Sequence, residues 1–265
     1  IRKKKKKKNK KKKKKKKKIV KKKKKLLHIV NELINLDETS IKCFGNTNDR
    51  YFSIIRKSLE RALALDSKIP SWIKNLDGLS GKKYRYLINN LIEIFPNPKY
   101  LEIGSWLGST ACSAIFHNSL NITCIDNWSE NYKNIKNQSE VFRNNIQKCS
   151  NPNVNFEIIE KDFRIINFSE IGKFNIFFFD GPHHMIDHYD AINLIQPCLL
   201  KKYILIIDDW NWRQVRQGTL DAIKDLKLKI ISQLEIKTSQ DDLRPIFDSR
   251  YSEWHNGYSF FVISK

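Results

Sequence analysis

From Lys99 onward the chain alternates short, nearly continuous apolar runs with stretches of helical periodicity. The runs are Tyr100–Ile103, Ile122–Ile125, Phe156–Ile159, Phe174–Phe179 and Tyr203–Ile207, with two more around Leu228–Leu234 and Tyr258–Ile263. Runs of this length, apolar at successive positions and separated by helical segments, predict strands buried on both faces in a mostly parallel sheet. Upstream, Tyr51–Leu65 and Ser80–Phe95 carry the apolar spacing of amphipathic helices, and Pro96-Asn97-Pro98 stops the second. Leu26, Leu27, Ile29, Val30, Leu33 and Ile34 follow the same spacing and predict a shorter helix. Its apolar face would dock on the domain or, beside the lysines that precede it, lie on a membrane surface.

Charge changes the picture only at the amino end. The 265 residues carry a formal net charge of +22 from 50 basic and 28 acidic side chains. Twenty Lys and one Arg fall within residues 1–25, which leaves 29 basic against 28 acidic side chains in the rest, a net of +1. A protein-wide basic binding surface is thereby ruled out as the default reading. A lysine run such as Lys10–Lys18, in a chain rich in Asn and Ile, is what adenine-rich DNA encodes. Residues 1–25 are set apart from the fold as a translated-repeat artefact or a disordered tail. The functional alternative is a polybasic tether to nucleic acid or anionic lipid. No aromatic residue is interleaved to stack on bases, and no apolar core of a signal peptide follows.

Five scattered cysteines, never spaced C-x-x-C, argue against a disulfide framework and a zinc knuckle. Cys112, Cys124 and Cys198 sit in apolar segments and are expected in the core. No run reaches the roughly 18–20 apolar residues of a membrane span. A cytoplasmic protein is the simplest expectation.

In doubly wound sheets, ligands bind beyond the carboxyl ends of the strands, so the residues that follow each strand are the candidates. Glu102, Gly104, Ser105 and Gly108 lie at the first strand's end, where glycines allow a tight turn and close approach of a ligand. The third glycine of a dinucleotide fingerprint is missing. Asp126, about 20 residues beyond the glycines, is placed to accept from ribose hydroxyls. Trp128 is placed to cover an adenine ring or simply to pack. Asp162 follows the third strand and either reaches an adenine amino group or caps a turn. Asp180-Gly181-Pro182-His183-His184 follows the fourth, and Asp208-Asp209-Trp210 the fifth. Three converging carboxylates require a cation or a shared proton, and all-oxygen ligation suits magnesium, manganese or calcium. Structural loop carboxylates are the plainer alternative. Beyond them, Trp210, Trp212, Arg213 and Arg216 either contact substrate or another subunit or pack the start of a helix, and the two arginines would share one helical face fit to clamp an acidic group.

These residues resemble the class I S-adenosylmethionine-dependent methyltransferases over roughly Gly78–Lys265, most closely in the stretch Leu101–Thr110. Within that superfamily the Asp180-Gly-Pro-His183 and Ile207-Asp208-Asp209-Trp210 segments are similar to metal-dependent small-molecule O-methyltransferases, the macrocin and mycinamicin sugar type, and more distantly catechol O-methyltransferase. The resemblance implies that Asp180, Asp208 and Asp209 hold Mg2+ and that His183 is the catalytic general base. It further implies that Glu102, Gly104 and Ser105 line the methionine part of S-adenosylmethionine and that Gly108 also binds the cofactor, with Asp126 at the ribose, Asp162 at the adenine and Asp180 beside the methyl donor. The expected fold is an α/β, Rossmann-like, doubly wound seven-stranded sheet with an antiparallel last strand, preceded by N-terminal helices. The expected organisation is a lysine tract (1–25), a helical extension (26–77) and a methyltransferase domain (78–265). The segment Lys237–Asn256 departs from the family's pattern, which leaves the acceptor open. The expected acceptor is a small molecule or glycan hydroxyl, with nucleic acid touched only nonspecifically through the lysine tract and oligomerisation open. The alternatives are a Rossmann enzyme for NAD or nucleotide sugars, a nucleic-acid methyltransferase, and a noncatalytic S-adenosylmethionine-binding module.

Overall fold

The computed structural model describes residues 39–130, 134–239, 242, 245, 247 and 249–265. The lysine tract and the helix expected at 26–34 lie outside these residues. Thr39–Lys265 makes one compact unit.

Eight strands form a single sheet: β1 (Ser40–Gly45), β2 (Lys99–Ile103), β3 (Leu120–Ile125), β4 (Val154–Ile159), β5 (Phe174–Phe179), β6 (Leu199–Ile207), β7 (Lys229–Lys237) and β8 (Tyr258–Ser264). Their order is β1-β7-β8-β6-β5-β2-β3-β4. The four pairings from β6 to β4 are parallel, whereas β8 runs antiparallel between β6 and β7. All seven expected strands are present as β2–β8. The expected count of seven is corrected to eight by β1, which pairs antiparallel with β7 (Cys43 opposite Leu234). The described part of the amino-terminal region therefore opens with a strand, not a helix.

The apolar runs are most continuous in β2, β5, β8 and the carboxyl half of β6, which are buried on both sides, whereas β7 is buried only at alternate positions and the edge strand β4 is half-exposed. Along β5, Ile176 and Phe178 enter one core layer while Phe177 and Phe179 enter the other, the alternation that strand geometry imposes. The first layer is covered by α1 (Arg50–Leu63), α3 (Lys82–Ile94), α4 (Ser109–Ile115) and α5 (Gln138–Cys149), with the short α2 (Ser71–Lys74) beside them. The second is covered by α6 (Met185–Leu194) and α7 (Arg213–Asp225). Asp49 caps α1 by accepting the Tyr51 amide at 2.9 Å. Cys112, Cys124 and Cys198 are buried as expected. Among the described residues no helix is long and apolar enough to cross a membrane.

His188 on α6 is a costly member of the second layer. Its ring stands edge-on to Phe179 at 4.8 Å, and among the described residues neither ring nitrogen has a hydrogen-bond partner. Burial, with a smaller contribution from the charge of His183, lowers its pKa from 6.5 to about 3. The unfolded chain therefore takes up this proton first as pH falls. The group's contribution is complete above about pH 6.5 and declines by about 1.4 kcal/mol per pH unit toward pH 3. Between pH 7 and pH 5 that amounts to about 2 kcal/mol. His188→Leu removes the dependence, so the stability difference between variant and wild type in urea unfolding should shift by that amount between the two pH values. An equal difference at both would show that His188 titrates alike in the folded and unfolded chains.

Candidate active site

A cavity of about 360 Å³ opens at the carboxyl ends of β2–β6. Its floor is set by a close approach of two strand ends. Gly104 follows β2 with φ +90°, and a Cβ there would lie 1.9 Å from the carbonyl oxygen of Asp180. Only glycine lets the β2 turn lie against the residue that follows β5.

Asp126, after β3, ties two loops together. Its carboxylate accepts the Trp106 amide on Oδ2 and the Trp128 amide on Oδ1, both at 2.7 Å. The Trp128 indole in turn donates to the Trp106 carbonyl at 2.7 Å. Burial raises the pKa of Asp126, against the lowering effect of these amides. Both Asp126 and Trp128 line the cavity. Asp162 lines it too, while also accepting the Arg164 amide at 2.9 Å and pairing with the Arg164 guanidinium at 3.2 Å. It thus caps a turn and faces the cavity at once.

Of the residues expected at the cofactor, Gly104, Ser105, Asp126, Asp162 and Asp180 line the cavity, whereas Glu102 and Gly108 do not. Glu102 is fully buried behind the wall and accepts from the Tyr100 hydroxyl at 2.7 Å and the Thr110 hydroxyl at 2.8 Å. Burial lifts its pKa to about 7 despite those donors. Gly108 (φ +83°) turns the chain into α4 against Phe142, where a Cβ would lie 2.9 Å from the ring. Its role is in packing.

The cluster at the ends of β5 and β6 differs from the expected three carboxylates. Asp180, His183 and Asp209 each present a ligand atom, and these atoms lie within 4.8 Å of one another. Asp208 is buried, does not line the cavity, and accepts the Asp209 amide on Oδ1 at 2.7 Å. Neighbouring residues at a strand end point to opposite sides, and Asp209, in the left-handed region at φ +54°, is the one that turns inward. Burial pushes the Asp208 carboxyl well above the ordinary carboxylate range, and the charge of Asp209 adds to it. Asp180 is raised by burial and by the charges of Asp208 and Asp209.

Asp209 goes the other way. Burial alone would raise its pKa, but the hydrogen bond and electrostatic attraction of His183, together with that of His255, bring it to about 2. His183 Nε2 lies 2.6 Å from Asp209 Oδ2, and its ring meets Trp212 edge-on at 4.9 Å. Asn256 Nδ2 donates to Asp209 Oδ1, and His255 Nε2 stands 3.8 Å from that same oxygen. His255 Nδ1 accepts the Ser249 amide at 3.0 Å, which leaves the neutral ring's proton on Nε2, facing the carboxylate. His255 and Asn256 escape sequence reasoning because they follow no strand; they sit in the loop that leads into β8.

The residues after β6 divide. Trp212 lines the cavity, whereas Trp210 is buried and donates to Glu235 at 2.8 Å. Arg213 and Arg216 do not reach the cavity. Arg216 instead holds the carbonyls of Trp210 and Asn211 and pairs with Asp242 at 2.6 Å. The acidic-substrate clamp is thereby corrected to a loop staple.

Residues 101–210 match the family model described as a methyltransferase domain. No curated protein matches the chain. Similar solved structures include TrmN from Thermus thermophilus, at 11% identity and a TM-score of 0.46, covering 73% of this chain and 51% of that one. An SAH-bound methyltransferase from Podospora anserina shows 12% identity and a TM-score of 0.47, covering 78% and 86%. An O-methyltransferase from Bacillus cereus in complex with SAH shows 12% identity and a TM-score of 0.47, covering 80% and 91%. The chain spans about half the length of TrmN.

Proposed function

We propose, taking the methyltransferase domain of residues 101–210 as the premise, that this chain transfers a methyl group from S-adenosylmethionine to a hydroxyl of a small molecule or sugar. The observation that carries the reading is the meeting of Asp180, His183 and Asp209 on the floor of a cavity whose wall is the glycine turn after β2. Gly104 and Ser105 would border the methionine end of the donor, Asp126 its ribose and Asp162 its adenine. Beside them, the near-neutral charge outside the lysine tract supports a small acceptor over a nucleic acid.

The transfer is an in-line displacement. The acceptor oxygen forms a bond to the methyl carbon as the carbon–sulfur bond breaks, and S-adenosylhomocysteine leaves as a thioether. Positioning supplies most of the acceleration. The acceptor must also lose a proton, and His183 is placed to take it. The 2.6 Å contact of Nε2 with the ionised Asp209 holds the neutral ring's proton on Nε2 and makes Nδ1 the basic nitrogen. Asn256 and His255 keep the Asp209 carboxylate oriented from its other oxygen.

The donor set fits a divalent cation. Asp180 and Asp209 offer carboxylate oxygens within 4.8 Å of each other, the ligand type that magnesium takes together with water. Held by Asp180 and Asp209, a cation would supply Lewis-acid polarisation of the acceptor hydroxyl. Asp208 would brace Asp180 from behind rather than ligate.

Titration calorimetry on the full chain tests the reading, with S-adenosylmethionine added in magnesium and again in chelator. Micromolar binding is expected in at least the magnesium buffer, with NAD and nucleotide sugars failing to compete. Absence of binding in both buffers would overturn it.

A further inference from the structure

Arg85 on α3 is fully buried, and among the described residues every hydrogen bond it makes ends on a neutral group. Its Nη1 donates to the carbonyls of Ile73, Lys74 and Leu76 at 3.1, 3.0 and 2.8 Å. Nη2 donates to the Ser80 carbonyl at 3.3 Å, and Nε to the Ser80 hydroxyl at 3.0 Å. Burial lowers the guanidinium's pKa only to about 10, so it stays charged at neutral pH. A buried cation with no opposite charge in contact is expensive to keep. Its hydrogen bonds lead towards the cavity.

Ser80 Oγ lies 3.0 Å from Ser109 Oγ, and Ser109 lines the cavity. Ser80 Oγ accepts from Arg85 Nε, and either hydroxyl of the Ser80–Ser109 pair can donate to the other; the orientation in which Ser80 donates sends the Ser109 proton onward into the cavity. The backbone presses this relay against the wall: a Cβ on Gly78 would lie 2.0 Å from Ser109 Oγ and 3.1 Å from Arg85 Nη2. The rest of the described lining offers an anion little. Asp126, Asp162, Asp180 and Asp209 repel it. Lys161 and Arg164 stand beyond β4, where Arg164 is already paired with Asp162 and Asp187.

We propose that Arg85, acting through Ser80 and Ser109, is the positioning residue for the anionic end of the cavity's ligand, the amino-acid carboxylate of the methyl donor. The inference rests on the S-adenosylmethionine reading above. The Ser109 hydroxyl donates to the carboxylate, and the buried guanidinium polarises that donor while supplying a countercharge that is never exposed to water.

The test compares two ligands by calorimetry on the full chain: S-adenosylmethionine and its decarboxylated analogue. Wild type should prefer the carboxylated ligand. Ser80→Ala should weaken S-adenosylmethionine by about tenfold, the loss expected of one charge-assisted hydrogen bond, and the analogue by less than about twofold. Ser80→Thr keeps a hydroxyl and should restore the preference. Should Ser80→Ala fail to fold, Ser109→Ala reads the same difference from the cavity side. A general loss of structure would weaken both ligands alike, and that result overturns the proposal. So does a wild type that binds both ligands equally, which leaves the donor reading standing. A wild type that binds neither removes the donor reading and this inference with it.

Discussion

His183→Ala should lower methyl-transfer turnover by about 10²–10⁴-fold, the usual worth of a positioned general base, while the affinity for S-adenosylmethionine stays within a factor of two or so of wild type. The separation is expected because His183 meets the cavity through Asp209 and Trp212, whereas the donor's ribose and adenine would lie against the loops after β3 and β4. The measurement pairs donor calorimetry with transfer of a labelled methyl group to hydroxylated acceptors. Turnover within a few-fold of wild type would remove His183 from the role of base. Equal losses in affinity and turnover would instead make it a wall of the donor site.

Asp209→Asn should be at least as damaging, bringing transfer to the limit of detection. The amide cannot hold His183 by charge, and one of its two ends must turn a donor toward His183 Nε2 or toward Asn256 Nδ2, where the carboxylate now accepts on both sides. The same change weakens any cation shared with Asp180. The ring nitrogens of His183 report the effect independently of turnover. In 15N spectra the wild-type ring should show the Nε2–H form, and the variant should lose that bias. A variant that retains a tenth or more of wild-type turnover would show that the His183–Asp209 pair is not part of the chemistry.

How much of this was legible in the sequence differs from element to element. β2, β5, β6 and β8 announced themselves because a strand buried on both faces has no polar face to interrupt its apolar run, while β4 and β7 showed through the apolar residues of their one covered face. β1 did not: Lys42, Cys43, Phe44 and Gly45 are exposed, and its pairing is fixed by β7, nearly two hundred residues away. Asp180, Asp209 and His183 were legible because they follow strands, and that position is functional in this class of sheet. The same logic admitted Asp208 as a ligand, although alternation along β6 gives adjacent residues opposite directions; a left-handed turn at Asp209 decides which of the two faces the cavity. Glu102 was misplaced by the same oversight, since Tyr100 and Thr110 take its oxygens behind the wall. His255 and Asn256 had no local signal at all. They reach Asp209 only because β8 inserts beside β6.

That insertion shapes how the protein comes into being. β8 is translated after the other seven strands, yet its place is between β6 and β7, where Phe260 and Phe261 complete the two core layers on either side. A nascent chain whose carboxyl segment still sits in the ribosomal exit tunnel therefore has two unpaired strand edges facing one gap, the condition under which sheets associate wrongly. The His183–Asp209 pair would be unbraced at that stage, with His255 and Asn256 not yet delivered. Ribosome-stalled chains that withhold β8 should accordingly be protease-sensitive around β6 and β7, and activity should appear only once β8 has emerged.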